Sequence, residues 1–293
     1  MSVIDSHHHF WWTAKHSYQW PPQAAATMNR DFTPEDLRKE LDACGIDGTV
    51  LIQVLQIQET REFLDISRAW DFVRGVVGWL PLADPKATAE ALEELPGRGR
   101  LVGVRYLISN EPDPDWLLRT PVIESLGKLA GASLAFDAIP INPAQFDAVL
   151  RMAQKLPDLR IVINHLGRPP LPEQGWEPWA DQIAQAAKFD NVSMKLSVGL
   201  DVIMRWQWST ETLRRYVDHV LQTFGPARIM AGSNWPVILL GATYQEAWTG
   251  IVDLISGLSD SERAAILGGT AERIYRLEPM RRGGNTDREG PGI

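Results

Sequence analysis

The sequence predicts an α/β protein of the (β/α)8 TIM-barrel class. Short β-branched or aliphatic runs alternate with segments of helical period, the pattern of a parallel sheet wrapped by helices. There are eight such alternations, and the 293 residues suit a barrel of typically ~250 residues better than a two-domain split. No Gly/Ser linker interrupts the middle of the chain.

Strands are expected over Ser2–His9, Gly48–Val54, Val73–Leu80, Val102–Ile108, Ser133–Asp137, Arg160–His165, Val192–Leu196 and Arg228–Gly232. Helices are expected over Thr33–Ala43, Thr60–Trp70, Lys86–Leu95, Pro121–Ala130, Asn142–Leu156, Trp179–Lys188, Glu211–Phe224 and Tyr244–Ser256. Thr33 before Pro34 and Asn142 before Pro143 each offer an N-cap followed by proline at the first helical position. Gly45 and Gly131 sit where C-terminal glycines belong. A further helix over Asp260–Tyr275 completes a barrel domain expected at 1–278. The remainder, 279–293, contains RRGGNTDREGPG and has almost nothing to bury, so a mobile tail is expected.

Composition narrows the function. Apolar residues at 44% and charged residues at 23% are those of an ordinary globular domain, which excludes disorder and low complexity. The formal charge of −8 repels phosphate backbones, so no nucleic-acid partner is expected. The single cysteine, Cys44, cannot form an internal disulfide. Neither a leader pattern nor an apolar run of spanning length is present, so a cytoplasmic protein without a membrane partner is expected.

In such barrels the active site gathers at the C-terminal ends of the strands, so the polar residues there decide the chemistry. Strand 1 ends in Asp5-Ser6-His7-His8-His9, and strand alternation puts His7 and His9 on one face, where two imidazoles can share a metal ion. Two core histidines satisfied by hydrogen bonds would give the same pattern. Strand 6 delivers His165, which can converge on that pair. Arg105 ends strand 4 as a donor to a polarised carbonyl or a carboxylate. Asp137 on strand 5, Lys195 on strand 7 and Gln53 on strand 2 are candidate substrate contacts, as are Trp11 and Trp235. Strand 8 brings Asn234, whose amide can orient water but cannot take its proton at neutral pH.

The ordered motifs resemble the amidohydrolase superfamily, and within it the amidohydrolase-2 branch of sugar-acid lactonases. They are Ile4-Asp5-Ser6-His7-His8-His9-Phe10-Trp11, Gly103-Val104-Arg105, Asn164-His165-Leu166-Gly167-Arg168-Pro169, Lys195-Leu196-Ser197, Gly232-Ser233-Asn234-Trp235-Pro236 and Gly268-Gly269-Thr270-Ala271-Glu272-Arg273. The resemblance implies strand-1 and strand-6 histidines clustered at the mouth with a strand-8 aspartate, and His7, His9 and His165 fit. Asn234 departs from it, because the branch usually reads Gly-Ser-Asp-Trp-Pro. Three accounts stay open: another base, a sugar-acid-binding protein without catalysis, or an introduced replacement. Two-metal members carry histidines on strands 5 and 6, whereas strand 5 here ends at Asp137. One divalent ion, zinc, on His7, His9 and His165 is therefore expected, or none.

The expected activity is hydrolysis of an aldonolactone to the free hydroxy acid, by a monomer or homodimer, with His7, His9, His165, Asn234 and Arg105 as the catalytic set. A metal-dependent decarboxylase of the same superfamily is the alternative.

Overall fold

The structure, a computed structural model, describes residues 2–55, 57–170, 175–205 and 209–279. Strand β1 (Ile4–His8) leads through the short helix α1 (Pro22–Met28) to α2 (Pro34–Cys44) and β2 (Gly48–Ile52). Then come α3 (Ile57–Ala69), β3 (Val73–Gly78), α4 (Pro85–Glu94), β4 (Leu101–Arg105), α5 (Thr120–Gly131), β5 (Ala135–Ala138), α6 (Pro143–Lys155) and β6 (Arg160–Ile163). The chain continues with α7 (Trp179–Ala186), β7 (Val192–Leu196), α8 (Leu200–Arg205), α9 (Thr210–Phe224), β8 (Ile229–Ala231) and α10 (Tyr244–Leu254). A last helical stretch runs through α11 (Asp260–Ala264), a π-helical turn (Ala265–Gly269) and α12 (Thr270–Ile274). The tail expected from 279 onward lies, apart from Pro279, outside the described residues.

The eight strands form one sheet in sequence order, each parallel to the next, as the (β/α)8 reading requires. Between β8 and β1 the contact is made by the residues just past β8 against the C-terminal end of β1. Asn234 donates from its backbone N–H to the His7 carbonyl (2.8 Å), and His9 donates to the Trp235 carbonyl (2.7 Å). The seam of the barrel therefore runs between the strand-1 histidines and Asn234. Gly232 lets the two strands come this close, since a Cβ there would stand 2.8 Å from the Cβ of His7.

Three helix ends follow the expected local chemistry, whereas Gly131 is the last residue of α5 and Ala132 (φ −79°) is its C-cap. Thr33 and Asp36 form a capping box, Asn142 accepts from the Gln145 N–H, and Gly45 closes α2 in the left-handed conformation (φ 64°). Inside the barrel, Ile4, Val50, Ile52, Val77, Val102, Ala135, Val162 and Met230 form a core that Ile274, Tyr275 and Leu277 join from the C-terminal stretch. The π-helical turn lies against the start of β1, because a Cβ on Gly268 would meet the Ser2 carbonyl at 1.9 Å. The end opposite the functional mouth is thus plugged, and the other end is left for chemistry. No helix among the described residues is long and apolar enough to cross a membrane.

Candidate active site

Alternation along β1 places His7 and His9 on the inner face, and their Nε2 atoms face each other at 3.3 Å. His9 Nδ1 lies 2.8 Å from the Ile52 carbonyl, which can only accept, so this nitrogen carries the proton. His7 Nδ1 lies 3.0 Å from Asn164 Oδ1 and 3.2 Å from Lys195 Nζ. His8 points the other way, onto the Thr49 hydroxyl at 2.8 Å.

His165 joins from beyond β6, its ring centroid 4.5 Å from that of His7 and its Nδ1 2.8 Å from Ser197 Oγ. It opens a left-handed turn in which His165, Leu166, Gly167 and Arg168 all have φ between 52° and 64°. For non-glycine residues this conformation costs roughly 1–2 kcal/mol each. It is held by the Arg168 N–H on the His165 carbonyl (2.8 Å) and the Trp179 indole N–H on the Leu166 carbonyl (2.9 Å). Asn234 also sits at positive φ (59°), which asparagine tolerates better than most residues. Its amide nitrogen donates to the Val198 carbonyl at 2.7 Å, while Oδ1 is buried without a hydrogen-bond partner.

Charge is arranged so that the imidazoles are neutral. Burial, followed by the cations Lys195 and Arg105, pushes His7 well below the ordinary histidine range, and the same groups act on His165. His9 falls for burial first and Arg105 second. Arg105, pulled down to about 10 by burial against the opposing pull of Asp137, remains a cation at neutral pH. Its Nη2 donates to the Gln53 carbonyl, and Gln53 returns a bond from Nε2 to the Arg105 carbonyl at 3.1 Å.

A cavity of about 680 Å³ opens above these groups, with His9, Arg105, His165, Arg168 and Asn234 among its lining. Its remaining walls are mostly apolar: Trp20 and Pro21 from the β1 loop, Val54, Leu107, Leu200, Met204 and Val237. The candidate substrate contacts Gln53, Asp137, Lys195, Trp11 and Trp235 are absent from this lining. Gln53 is buried behind Arg105. Asp137 and Lys195 are fully buried and paired at 2.6 Å, with Tyr275 donating to both Asp137 oxygens at 2.8 and 3.0 Å. Trp11 packs on Trp20 and Phe32 and donates to the Met28 and Arg30 carbonyls, and Trp235 packs edge-on against Phe10 and Phe32. None of these five residues lines the cavity.

The sequence reading passed over Ser197 and Asn164, which orient His165 and His7, and over Trp20 in the loop after β1 and Leu200 and Met204 of the short helix α8. The small polar pair could have been found by asking which neighbours fix each ring. Trp20, Leu200 and Met204 carry no comparable signal.

The histidine pair fits one metal ion. Two nitrogens each ~2.05 Å from a tetrahedral zinc stand roughly 3.3 Å apart, which is the His7–His9 separation. Each ring has a partner for its other nitrogen, as metal-bound imidazoles do. The expected third imidazole does not complete a cage: among the described residues no group of three His, Cys, Asp or Glu is placed to hold a metal. Asn234, whose Oδ1 is buried without a hydrogen-bond partner, lines the same cavity as His9.

A closed parallel barrel with facing imidazoles, a buried guanidinium and a cavity at the C-terminal strand ends defines an enzyme of the barrel-hydrolase class. The chain belongs to the amidohydrolase family, whose model matches residues 4–277. It is 34% identical over 281 residues to an L-fucono-1,5-lactonase of Burkholderia ambifaria, covering 94% of this chain and 96% of that protein. It is 30% identical to an L-fucono-1,5-lactonase of Burkholderia multivorans, with the same two coverages. Among solved structures it resembles an amidohydrolase from Burkholderia multivorans crystallised with bound zinc, at a TM-score of 0.88 and 28% identity, over 95% of this chain and 100% of that one.

Proposed function

We propose that the protein opens the ring ester of a sugar-acid lactone to give the free hydroxy acid. The observation that carries this reading is that a buried Arg105 guanidinium, a neutral His165 oriented by Ser197, and the unpartnered amide oxygen of Asn234 belong to one cavity. The two relatives named as L-fucono-1,5-lactonases support it.

The steps follow from the donors and acceptors. The lactone carbonyl lies against Arg105, whose charge stabilises the oxyanion that forms when water adds. Ser197 Oγ accepts from His165 Nδ1–H, which leaves the Nε2 lone pair to take a proton from the attacking water. Asn234 Oδ1 accepts the water's other hydrogen and aims its oxygen, so the amide positions the nucleophile without acting as its base. The tetrahedral intermediate then breaks its ring C–O bond, and His165 returns the proton to the departing ring oxygen. An ion held by His7 and His9 would add a Lewis-acid charge beside the carbonyl.

The apolar wall bears on substrate choice. A 6-deoxy aldonolactone, with a methyl where the parent sugar acid carries a hydroxymethyl, suits a cavity lined by a few polar groups and a largely apolar remainder. The test is proton release, followed by pH indicator, across L-fucono, L-rhamnono and D-galactono lactones, beside Arg105→Met and His165→Gln. Turnover that either substitution leaves untouched would overturn the assignment.

A further inference from the structure

Three hydrogen-bonding groups converge on the His7 ring, and they ask opposite things of it. The Asn164 amide is fixed in orientation, because its Nδ2 faces the Ala138 carbonyl at 3.3 Å, and a carbonyl can only accept. Its Oδ1 therefore faces His7 Nδ1 at 3.0 Å and requires a proton there. Lys195 Nζ, 3.2 Å from the same nitrogen and held by Asp137 at 2.6 Å, is a donor and requires a lone pair there. At the other end of the ring, His9 Nε2 is a bare acceptor, since its proton is committed to Ile52 on Nδ1.

Two arrangements satisfy the pair. With the proton on His7 Nδ1, Asn164 accepts it and both Nε2 lone pairs converge across 3.3 Å, which needs a cation between them. With the proton on His7 Nε2, Lys195 donates to Nδ1, His7 donates to His9, and the chain of bonds runs from Lys195 to Ile52 with no cation. The same side chains thus make a metal clamp or a closed internal pair, and one proton position decides which.

We propose that Asn164 and Lys195 form a tautomer switch on His7, Asn164 favouring the metal-holding form and Lys195 the metal-free form, so that zinc is an exchangeable occupant of this site. Lys195 and Asn164 are on this view positioning residues that act through His7. The inference concerns metal binding and stands apart from the lactone reading.

The test is zinc affinity by equilibrium dialysis with the metal alone, on the full chain, for the protein as it is and for Lys195→Met, Asn164→Asp and Asn164→Leu. Outer-sphere partners of metal-bound histidines change affinity roughly 10–100-fold. Tighter zinc binding by at least ~10-fold is expected for Lys195→Met and for Asn164→Asp, and weaker binding by a similar factor for Asn164→Leu. Removing a nearby charge would also tighten zinc at Lys195→Met, so the tautomer itself is read from histidine 15N shifts, with His7→Gln identifying the signal. The proposal expects His7 to carry its proton on Nε2 without zinc and on Nδ1 with it. A proton already on Nδ1 in the metal-free protein overturns it, as does unchanged zinc affinity in Asn164→Asp or no zinc binding by any form. Where Lys195→Met fails to fold, Asn164→Asp and the 15N shifts decide alone.

Discussion

Asp5 is the place where a single change should loosen the barrel and the site together. It is fully buried and clamps the seam between β1 and β8. One carboxylate oxygen accepts the backbone N–H groups of Ser233 (2.9 Å) and His7 (3.1 Å). The other accepts the Ser233 hydroxyl (2.6 Å) and the Tyr244 hydroxyl (3.0 Å). In Asp5→Ala the two hydroxyls can turn elsewhere, but the two amides are left buried and unpaired at roughly 1–3 kcal/mol each. Part of that loss is offset because the folded protein no longer buries a carboxylate, whose pKa burial raises. A net loss of about 3 kcal/mol is expected, read as a lower urea midpoint at unchanged slope. Asp5→Asn keeps an oxygen for the amides and should lose about 1 kcal/mol. Activity should fall further than stability in Asp5→Ala, because the same seam sets His7 against Asn234. An Asp5→Ala protein within about 0.5 kcal/mol of the parent would refute the argument, since that is the range of an ordinary surface substitution.

Other consequences can be measured alongside. Arg105→Met should lower kcat for lactone opening by roughly 10²–10³, the usual loss on removing an oxyanion donor, and His165→Gln by roughly 10²–10⁴. Ser197→Ala should lose less, about tenfold, because the imidazole remains and only its orientation is freed; equal losses at both positions would argue that Ser197 does more than orient. Glu59 is buried and accepts the Val54 and Leu55 N–H groups at 2.6 Å each, which sets the loop that brings Val54 to the cavity. Glu59→Ala should therefore cost about 2–3 kcal/mol in chemical denaturation and raise KM, whereas Glu59→Gln should stay within about 1 kcal/mol. L-fucono-lactone should be opened with roughly tenfold higher kcat/KM than L-galactono-lactone, which carries a hydroxymethyl where fucono carries a methyl; equal values would count against the apolar wall as the selecting surface.

The barrel was legible because its cues are local. β-branched runs, N-caps such as Thr33 and Asn142, and the glycine after α2 announce elements without knowledge of their neighbours. The His7–His9 pairing is equally local, following from two-residue alternation on one strand. Depth inside the barrel is not. Asp137 and Lys195 read as charges at the mouth, yet they are fully buried and closed on each other, with Lys195 against the back of His7 and Tyr275 on Asp137. The short helices α1 and α8 escaped because neither is long enough to show a period, and their residues Gln23, Leu200 and Met204 contribute to the cavity wall. Trp11 and Trp235 show the limit from the other side: aromatic residues flanking site motifs turned out to pack on one another's neighbours rather than on the cavity.

The central claim is that this chain hydrolyses a sugar lactone with His165 as base and Asn234 as a water-positioning amide. The most direct test is proton release from L-fucono-1,5-lactone by the chain as it is, beside Asn234→Asp, with metal content recorded for both. The account predicts turnover by the asparagine form that is lost in His165→Gln. Turnover by the aspartate form alone would contradict it, and would mean that the strand-8 position carries the base and that Asn234 silences the enzyme.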